Sequence, residues 1–310
     1  MQTQTMNQEV STTVLPKVDS TNFDESVNAL VTGEIGSIDW LTITVKDRGR
    51  RELVYNEAGR LFEMGKEHGD VQRPWKFKGF EGYSCGSVRY GDREDCSILM
   101  LSGDAAQLNY QPALAWAENI SRIDLALTVS LKSAWPGLPK RAYDFIHLQG
   151  RKPCKFTRGY QFVCNTAGGQ TLYVGSRASD QFGRFYDKGR ENEETPLMPA
   201  GMVYRYEVEF KSYRAKRVGQ QLLAEAKRSE DHPATMIATT IDKWFLSRGV
   251  RCISSANMDD VAFALDVSAR ISDDQTSLNW LSTQVSPTVR RLCENGKRDE
   301  TLRALGLLAD

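Results

Sequence analysis

The stretch "VYRYEVEFK", residues 203–211, alternates without a break. Tyr204, Tyr206, Val208 and Phe210 fall at one parity; Arg205, Glu207, Glu209 and Lys211 fall at the other. Successive side chains of a β-strand point to opposite sides of a sheet. The stretch therefore predicts a strand with one apolar face for a core and one face of cations and carboxylates. A second run, "QFGRFYDKG" at 181–189, reads the same way. Phe182, Arg184, Tyr186 and Lys188 share one face, and Phe185 points to the other. One strand thus offers a tyrosine flanked by cations, and a nearby strand offers two carboxylates.

Further strands are predicted on both sides. "SIDWLTITV" at 37–45 has the Ile, Thr, Val and Trp content of a strand, and order is expected to begin there. "WKFKGFEGYSCGSVRYG" (75–91) and "CSILMLSG" (96–103) read as strand pieces with Gly-rich turns. "SRIDLALTVSL" (121–131), "GYQFVCN" (159–165) and "QTLYVGS" (170–176) read as strands too. "SIDWL" and "RIDLA" echo one another and suggest two paired strands of one sheet. Helical spacing marks "YNEAGRLFEMGKEHG" (55–69) and "KRAYDFIHLQG" (140–150). "AAQLNYQPALAWAENI" (105–120) reads as a helical crossover broken near Pro112. From about residue 214 helical period takes over, in 215–228, 233–249 and 276–296. There, Ser286 before Pro287 reads as an N-cap and first-turn pair. The fold class is α+β: a mainly antiparallel sheet with flanking helices, then a helical C-terminal region. The expected division is a disordered leader at 1–34, a catalytic sheet domain at 35–213 and the helical region at 214–310.

At 310 residues and 40% apolar content, the chain can bury one large core, with room for a smaller annex. Lys plus Arg and Asp plus Glu number 40 each, so global charge singles out no partner. Residues 1–37 carry one Lys and five acidic residues, whereas 151–217 carry 13 Lys or Arg against 7 acidic residues. Such a local basic excess suits an anionic partner, or a solvated face. The 6 cysteines form no C-x-x-C pair, and the 3 histidines make no zinc-like spacing with them. With no signal peptide and no long apolar run, the expectation is a reduced, cytoplasmic protein with no membrane partner.

Asp39 and Asp124 each sit as the first polar residue of an otherwise apolar strand. A carboxylate there is costly unless paired or bound to a cation. Carboxylates converging from separate strands suit a divalent ion, which can polarise a phosphodiester. A tyrosine hydroxyl is a weak nucleophile at its free pKa of about 10, and adjacent Arg and Lys favour the phenolate. Attack on DNA phosphate would leave a phosphotyrosine link that conserves the bond for resealing. The bland alternative is a solvated sheet decorated with Arg–Glu pairs.

"RIDLALTV", "TLYVGSRASDQFGRFYDKGRE" and "YRYEVEFK", in this order and spacing, resemble the replication initiation factor family. The likeness extends to "IDWLTIT" and "LNWLSTQVSPTVRRL" and spans about residues 36–305. The resemblance implies a metal-dependent enzyme that nicks one strand at an origin, stays bound through a tyrosine and later rejoins the strand, as in rolling-circle replication. It places the nucleophile on Tyr186, its basic neighbours on Arg184 and Lys188, an R-x-E motif on Arg205 and Glu207, and an R-x-D motif on Arg122 and Asp124. It implies Mg2+ or Mn2+, held by Asp124 and Glu207 and joined by Asp39 and Glu209. Duplex and single-stranded origin DNA, a host helicase, a host polymerase and a second copy of the chain are the implied partners. Two departures stand out. Thr128 occupies the place of a second Asp in the family pattern, and no His-hydrophobe-His motif exists.

Arg177 and Ser176, in "GSRASD", suit a phosphate contact or a hydrogen-bonded turn. Lys211, Arg214, Lys216 and Arg217 suit a grip on duplex phosphates or a solvated helix start. Tyr173 is a rival nucleophile, though its place between Leu172 and Val174 favours packing. Trp75, Phe80, Tyr83 and Tyr90 suit base stacking or a core. "GSRASDQFGR" lacks a Gly-Lys-Ser/Thr ending, so no ATPase is expected. Two alternatives use the same scaffold: a non-catalytic DNA-binding regulator and a conjugative relaxase.

Overall fold

The computed structural model describes residues 27–117, 119–148, 159–165, 168–190, 199–228, 232–253, 264–267, 281 and 285–305. The chain forms two compact units, Met1–Asp266 and Val267–Asp310.

The first unit is built on a 10-stranded antiparallel sheet in the order β2-β3-β4-β5-β1-β6-β10-β9-β8-β7. Its central strands are β1 (Val31–Val45), β6 (Asn119–Leu131), β10 (Val203–Lys211) and β9 (Gln181–Asp187). β2 (Arg73–Phe77), β3 (Phe80–Cys85), β4 (Val88–Asp92) and β5 (Ser97–Ser102) form one wing. β7 (Tyr160–Cys164) and β8 (Gln170–Val174) form the other. The two echoing segments do pair: β1 runs antiparallel to β6. Strand structure starts at Val31, ahead of the expected Ser37.

Helices α1 (Arg48–Glu67), α2 (Gly103–Trp116), α3 (Leu138–Leu148), α4 (Ser212–Ala226) and α5 (His232–Leu246) complete this unit. Asp47 caps α1 by accepting the Arg50 N–H at 2.9 Å. α2 is continuous through Pro112, against the expectation of a break. Pro112 and Leu108 both lie on the solvent side, so the carbonyl that loses its N–H partner faces water.

The core lies where these helices cover the apolar face of the sheet. Leu125, Leu127, Val129, Tyr204, Val208 and Phe210 are all fully buried. Phe185 stacks on Tyr206 with centroids 4.1 Å apart, and Phe245 of α5 meets Tyr206 edge-on at 5.3 Å. Gly183 permits this contact. A Cβ there would lie 2.4 Å from the Trp244 ring and 3.1 Å from the Phe245 ring. β10 then passes directly into α4 through Ser212, whose φ of 53° is in the left-handed region.

The second unit holds α6 (Ser286–Glu294) and α7 (Arg298–Ala304) among its described residues. Ser286 is not the N-cap of α6. Val285 holds that position, and the Ser286 hydroxyl donates to the Leu281 carbonyl at 3.0 Å. Pro287 sits in the first turn, where its missing N–H is harmless.

Candidate active site on the open face of the sheet

Alternation leaves the opposite face of the sheet to polar side chains, and register decides which of them meet. Glu207 pairs with Arg184 across β10 and β9, and Arg205 pairs with Tyr186. On the other side of β10, Glu209 pairs with Asp124, Glu207 with Ala126 and Arg205 with Thr128. Ala126 places nothing larger than a methyl group beside Glu207. Asp39 falls at a register shift of β1 between Ile38 and Trp40, which marks a β-bulge. As a result both Asp39 and Trp40 line the open-face cavity, which strict alternation would forbid.

The side chains form one charged cluster in a cavity of about 620 Å³. The Tyr186 hydroxyl donates to Glu207 Oε1 at 2.5 Å. Arg184 Nη2 lies 2.7 Å from Glu207 Oε2 and 3.4 Å from Asp124 Oδ2. Arg122 grips Asp124 with two prongs, Nε to Oδ1 at 2.8 Å and Nη2 to Oδ2 at 2.5 Å. The same Nη2 is 3.0 Å from Glu209 Oε2. Arg205 Nη1 donates to Asp39 at 2.8 Å, and its Nε donates to Thr128 at 3.0 Å. Thr128 thus serves to hold Arg205. Lys188, in a 3-10 turn directly after β9, lies 5.9 Å from the centroid of the Tyr186 ring.

A family model described as replication initiation factor matches residues 118–303. The chain belongs to the replication initiation factor family. Among solved structures it is similar to a rolling circle replication initiator protein from Geobacillus stearothermophilus. The two are 18% identical over 81% of this chain and 96% of that chain, with a TM-score of 0.47. No curated protein matches. The family span contains Arg122, Asp124, Arg184, Tyr186 and Glu207, whereas Asp39 and Trp40 lie before it.

Burial shapes the electrostatics of this family member's site. Asp124 and Glu207 have side chains only 1% and 3% exposed. Burial pushes the Asp124 carboxyl up to about 6, against the pull of Arg122, and Glu209 adds to the rise. Burial likewise raises Glu207, partly offset by Arg184 and by the Tyr186 hydrogen bond. Burial opposes the charge on Arg184, yet Glu207 and Asp124 hold its pKa above the ordinary value.

Asp124 and Glu207 converge on one cationic nitrogen, Arg184 Nη2, as two hard oxygen donors would on an ion. Glu209 is drawn toward Arg122 and Lys211, and Asp39 toward Arg205. Among the described residues no group of three or more His, Cys, Asp or Glu is arranged to hold a metal. The donors suit a divalent cation in kind, and the point on which they converge is held by the Arg184 guanidinium.

The remaining expected residues are spread more widely. Arg177 lies 4.9 Å from the Tyr173 ring and 5.2 Å from the Phe182 ring, and those two rings stack at 5.6 Å. Tyr173 is on the open face, opposite Arg184, while Leu172 and Val174 enter the core. Ser176 closes its turn by accepting the Ala178 N–H at 3.3 Å. Lys211 pairs with Glu209 at 2.5 Å and donates to the Arg177 carbonyl; Arg214 pairs with Asp180 at 3.0 Å. Lys216 and Arg217 lie on α4, away from the tyrosine. Lys216 borders a groove with Leu114 and Ile120, and Arg217 pairs with Asp266. Phe80 and Tyr90 are buried, and Tyr83 is exposed.

Asp187 has a part that the sequence does not announce. Its carboxylate accepts the Gly189 N–H at 3.1 Å and the Gly201 N–H at 2.9 Å. It thereby anchors the backbone on both sides of the segment that follows Tyr186.

Proposed function

We propose that this protein is a rolling-circle replication initiator that nicks and rejoins one DNA strand at an origin through Tyr186. The observation that carries the reading is the Tyr186 hydroxyl donating to buried Glu207 within a cluster of guanidinium groups on an open face. The Tyr186 oxygen forms a bond to phosphorus and the bond from phosphorus to the 3′ oxygen breaks. The phenol proton passes to Glu207 Oε1, the oxygen that the Tyr186 hydroxyl already meets. The leaving 3′ oxygen takes its proton from water, Glu207 gives the phenol proton to the hydroxide left behind, and the 5′ end stays on the tyrosine. Rejoining is the reverse attack by a 3′ hydroxyl. Arg184 and Lys188 neutralise the phosphate as charge builds on it, and Arg177 holds a neighbouring phosphate.

Mg2+ or Mn2+ belongs to this proposal, with Asp124 and Glu207 as its protein ligands and Asp39 and Glu209 as outer carboxylates. Such an ion, when bound, supplies Lewis-acid polarisation of the phosphoryl oxygens. Lys211 and Arg214, at the edge of the same face, extend the basic rim. Lys216 and Arg217 would reach DNA only along α4. A host helicase and polymerase would act on the opened strand, and a second copy of the chain is a further proposed partner. A cytoplasmic setting is part of the proposal; no described helix is long and apolar enough to cross a membrane.

The test incubates supercoiled DNA carrying the protein's own gene and flanks with the purified chain and either ion. A denaturing gel then detects a covalent protein–DNA adduct. An adduct lost in Tyr186→Phe supports the reading. An adduct retained there moves the nucleophile, with Tyr173 next. Tight DNA binding without an adduct favours the regulator.

A further inference from the structure

Arg89 projects from β4 onto the open face, far from the tyrosine. Register aligns Arg89 with Met100, Met100 with Thr42, and Thr42 with Arg122, one row across four strands. The two arginines that end the row lean toward one aromatic ring. Their guanidinium carbons lie 5.5 Å (Arg89) and 4.8 Å (Arg122) from the Trp40 centroid. Trp40 is itself fixed. Its Nε1 donates to Thr42 at 2.8 Å, and it packs on buried Phe80, Cys96, Ile98 and Met100.

Arg122 spends Nε and Nη2 on Asp124 and Glu209. Arg89 Nη1 is shut off from water and has no hydrogen-bond partner among the described residues. A buried cationic donor without a partner is costly, and such groups ordinarily mark a missing water or anion. Trp40 and Arg122 also line the cavity that holds Tyr186 and Glu207. The two stations are therefore continuous along one face.

We infer that Arg89, Trp40 and Arg122 form a second phosphate subsite for the DNA strand whose scissile phosphate meets Tyr186. This rests on the proposed nicking reading. Trp40, on which both guanidiniums converge, stands on β1, three strand spacings from β9 or roughly 14 Å at about 4.8 Å each, so the single strand runs across the sheet, perpendicular to the β-strands. The tryptophan orients the two planar cations, and the phosphodiester meets the solvent-facing part of each half-buried guanidinium.

The experiment uses the full chain carrying Tyr186→Phe, so that binding is read without reaction. Fluorescent oligothymidines of increasing length are titrated at several salt concentrations. Affinity rises with length in this background. Arg89→Ala and Arg89→Gln remove the gain from the longer strands, about tenfold, and reduce the salt slope by about 0.7 for one lost phosphate contact. Arg89→Lys restores most of the slope. Thermal melting of each variant confirms the fold, and Arg89→Gln keeps the side-chain volume if alanine does not fold. Unchanged affinity and slope in both neutral variants overturn the subsite. Inorganic phosphate that protects against melting as well as the oligonucleotide does overturns its assignment to a strand. The adduct assay on the otherwise unaltered chain reads separately. An adduct without an Arg89 effect sinks only the subsite, and an Arg89 effect without an adduct sinks only the nicking.

Discussion

Replacing Arg184 by methionine removes the guanidinium that lies between Asp124 and Glu207, at 3.4 and 2.7 Å. Both carboxylates are nearly inaccessible to water, which cannot replace the lost charge. Stripping one partner from a buried ion pair costs about 3–5 kcal/mol. Here the loss is tempered, because Asp124 keeps its two-pronged contact with Arg122 and Glu207 keeps the Tyr186 hydroxyl. Arg184 is also 30% exposed. The expected loss is therefore about 2–3 kcal/mol near neutral pH. It carries a pH signature. Without the cation, both folded-state carboxyl pKa values rise further above their unfolded values. The penalty is full above the folded pKa values and fades as pH falls toward the unfolded ones. Urea denaturation at about pH 8 and about pH 5 should show the larger deficit at the higher pH. Adding Glu207→Gln should recover part of it, since the two sites are coupled. A deficit below about 0.5 kcal/mol, or one equal at both pH values, would refute the buried-pair account.

Other expectations follow from single contacts. Tyr186→Phe should lose the covalent adduct while keeping its DNA affinity, and Tyr173→Phe should keep both. Chelation with EDTA should abolish adduct formation, and added Mg2+ or Mn2+ should restore it; nicking that survives chelation removes the ion from the proposal. Asp124, whose carboxyl is pushed up to about 6 by burial, should make stability fall as pH rises from its unfolded value to that point. That contribution is roughly 3 kcal/mol in all, and Asp124→Asn should flatten this part of the stability profile. Gly183→Ala should destabilise the first unit by about 1–3 kcal/mol through the Trp244 and Phe245 rings, read as a lowered melting temperature.

Period-2 alternation alone was enough to sort β9 and β10 into a core face and a charged face. The reason is geometric: a strand has only two faces, so parity assigns every side chain. The family resemblance added the proposed roles of Tyr186 and Glu207, and the order of its motifs along the chain needed no coordinates. Helix continuity through Pro112 was not legible, because it depends on the freed carbonyl facing water. The cap of α6 was not legible either, since it turns on one residue of chain direction.

What no local pattern contained is which charges meet. Arg184 and Glu207 are adjacent because of cross-strand register, and Asp39 reaches Arg205 only because a bulge turns it. Arg89 and Arg122 come together over Trp40 from three separate strands, and nothing near any of them in the chain announces it. The sequence by itself determined the strands, their faces and the nucleophile candidate, since these follow from short-range periodicity. Tertiary structure decided the pairing of the buried charges and the course of the open face, since register and strand order join residues far apart in the chain.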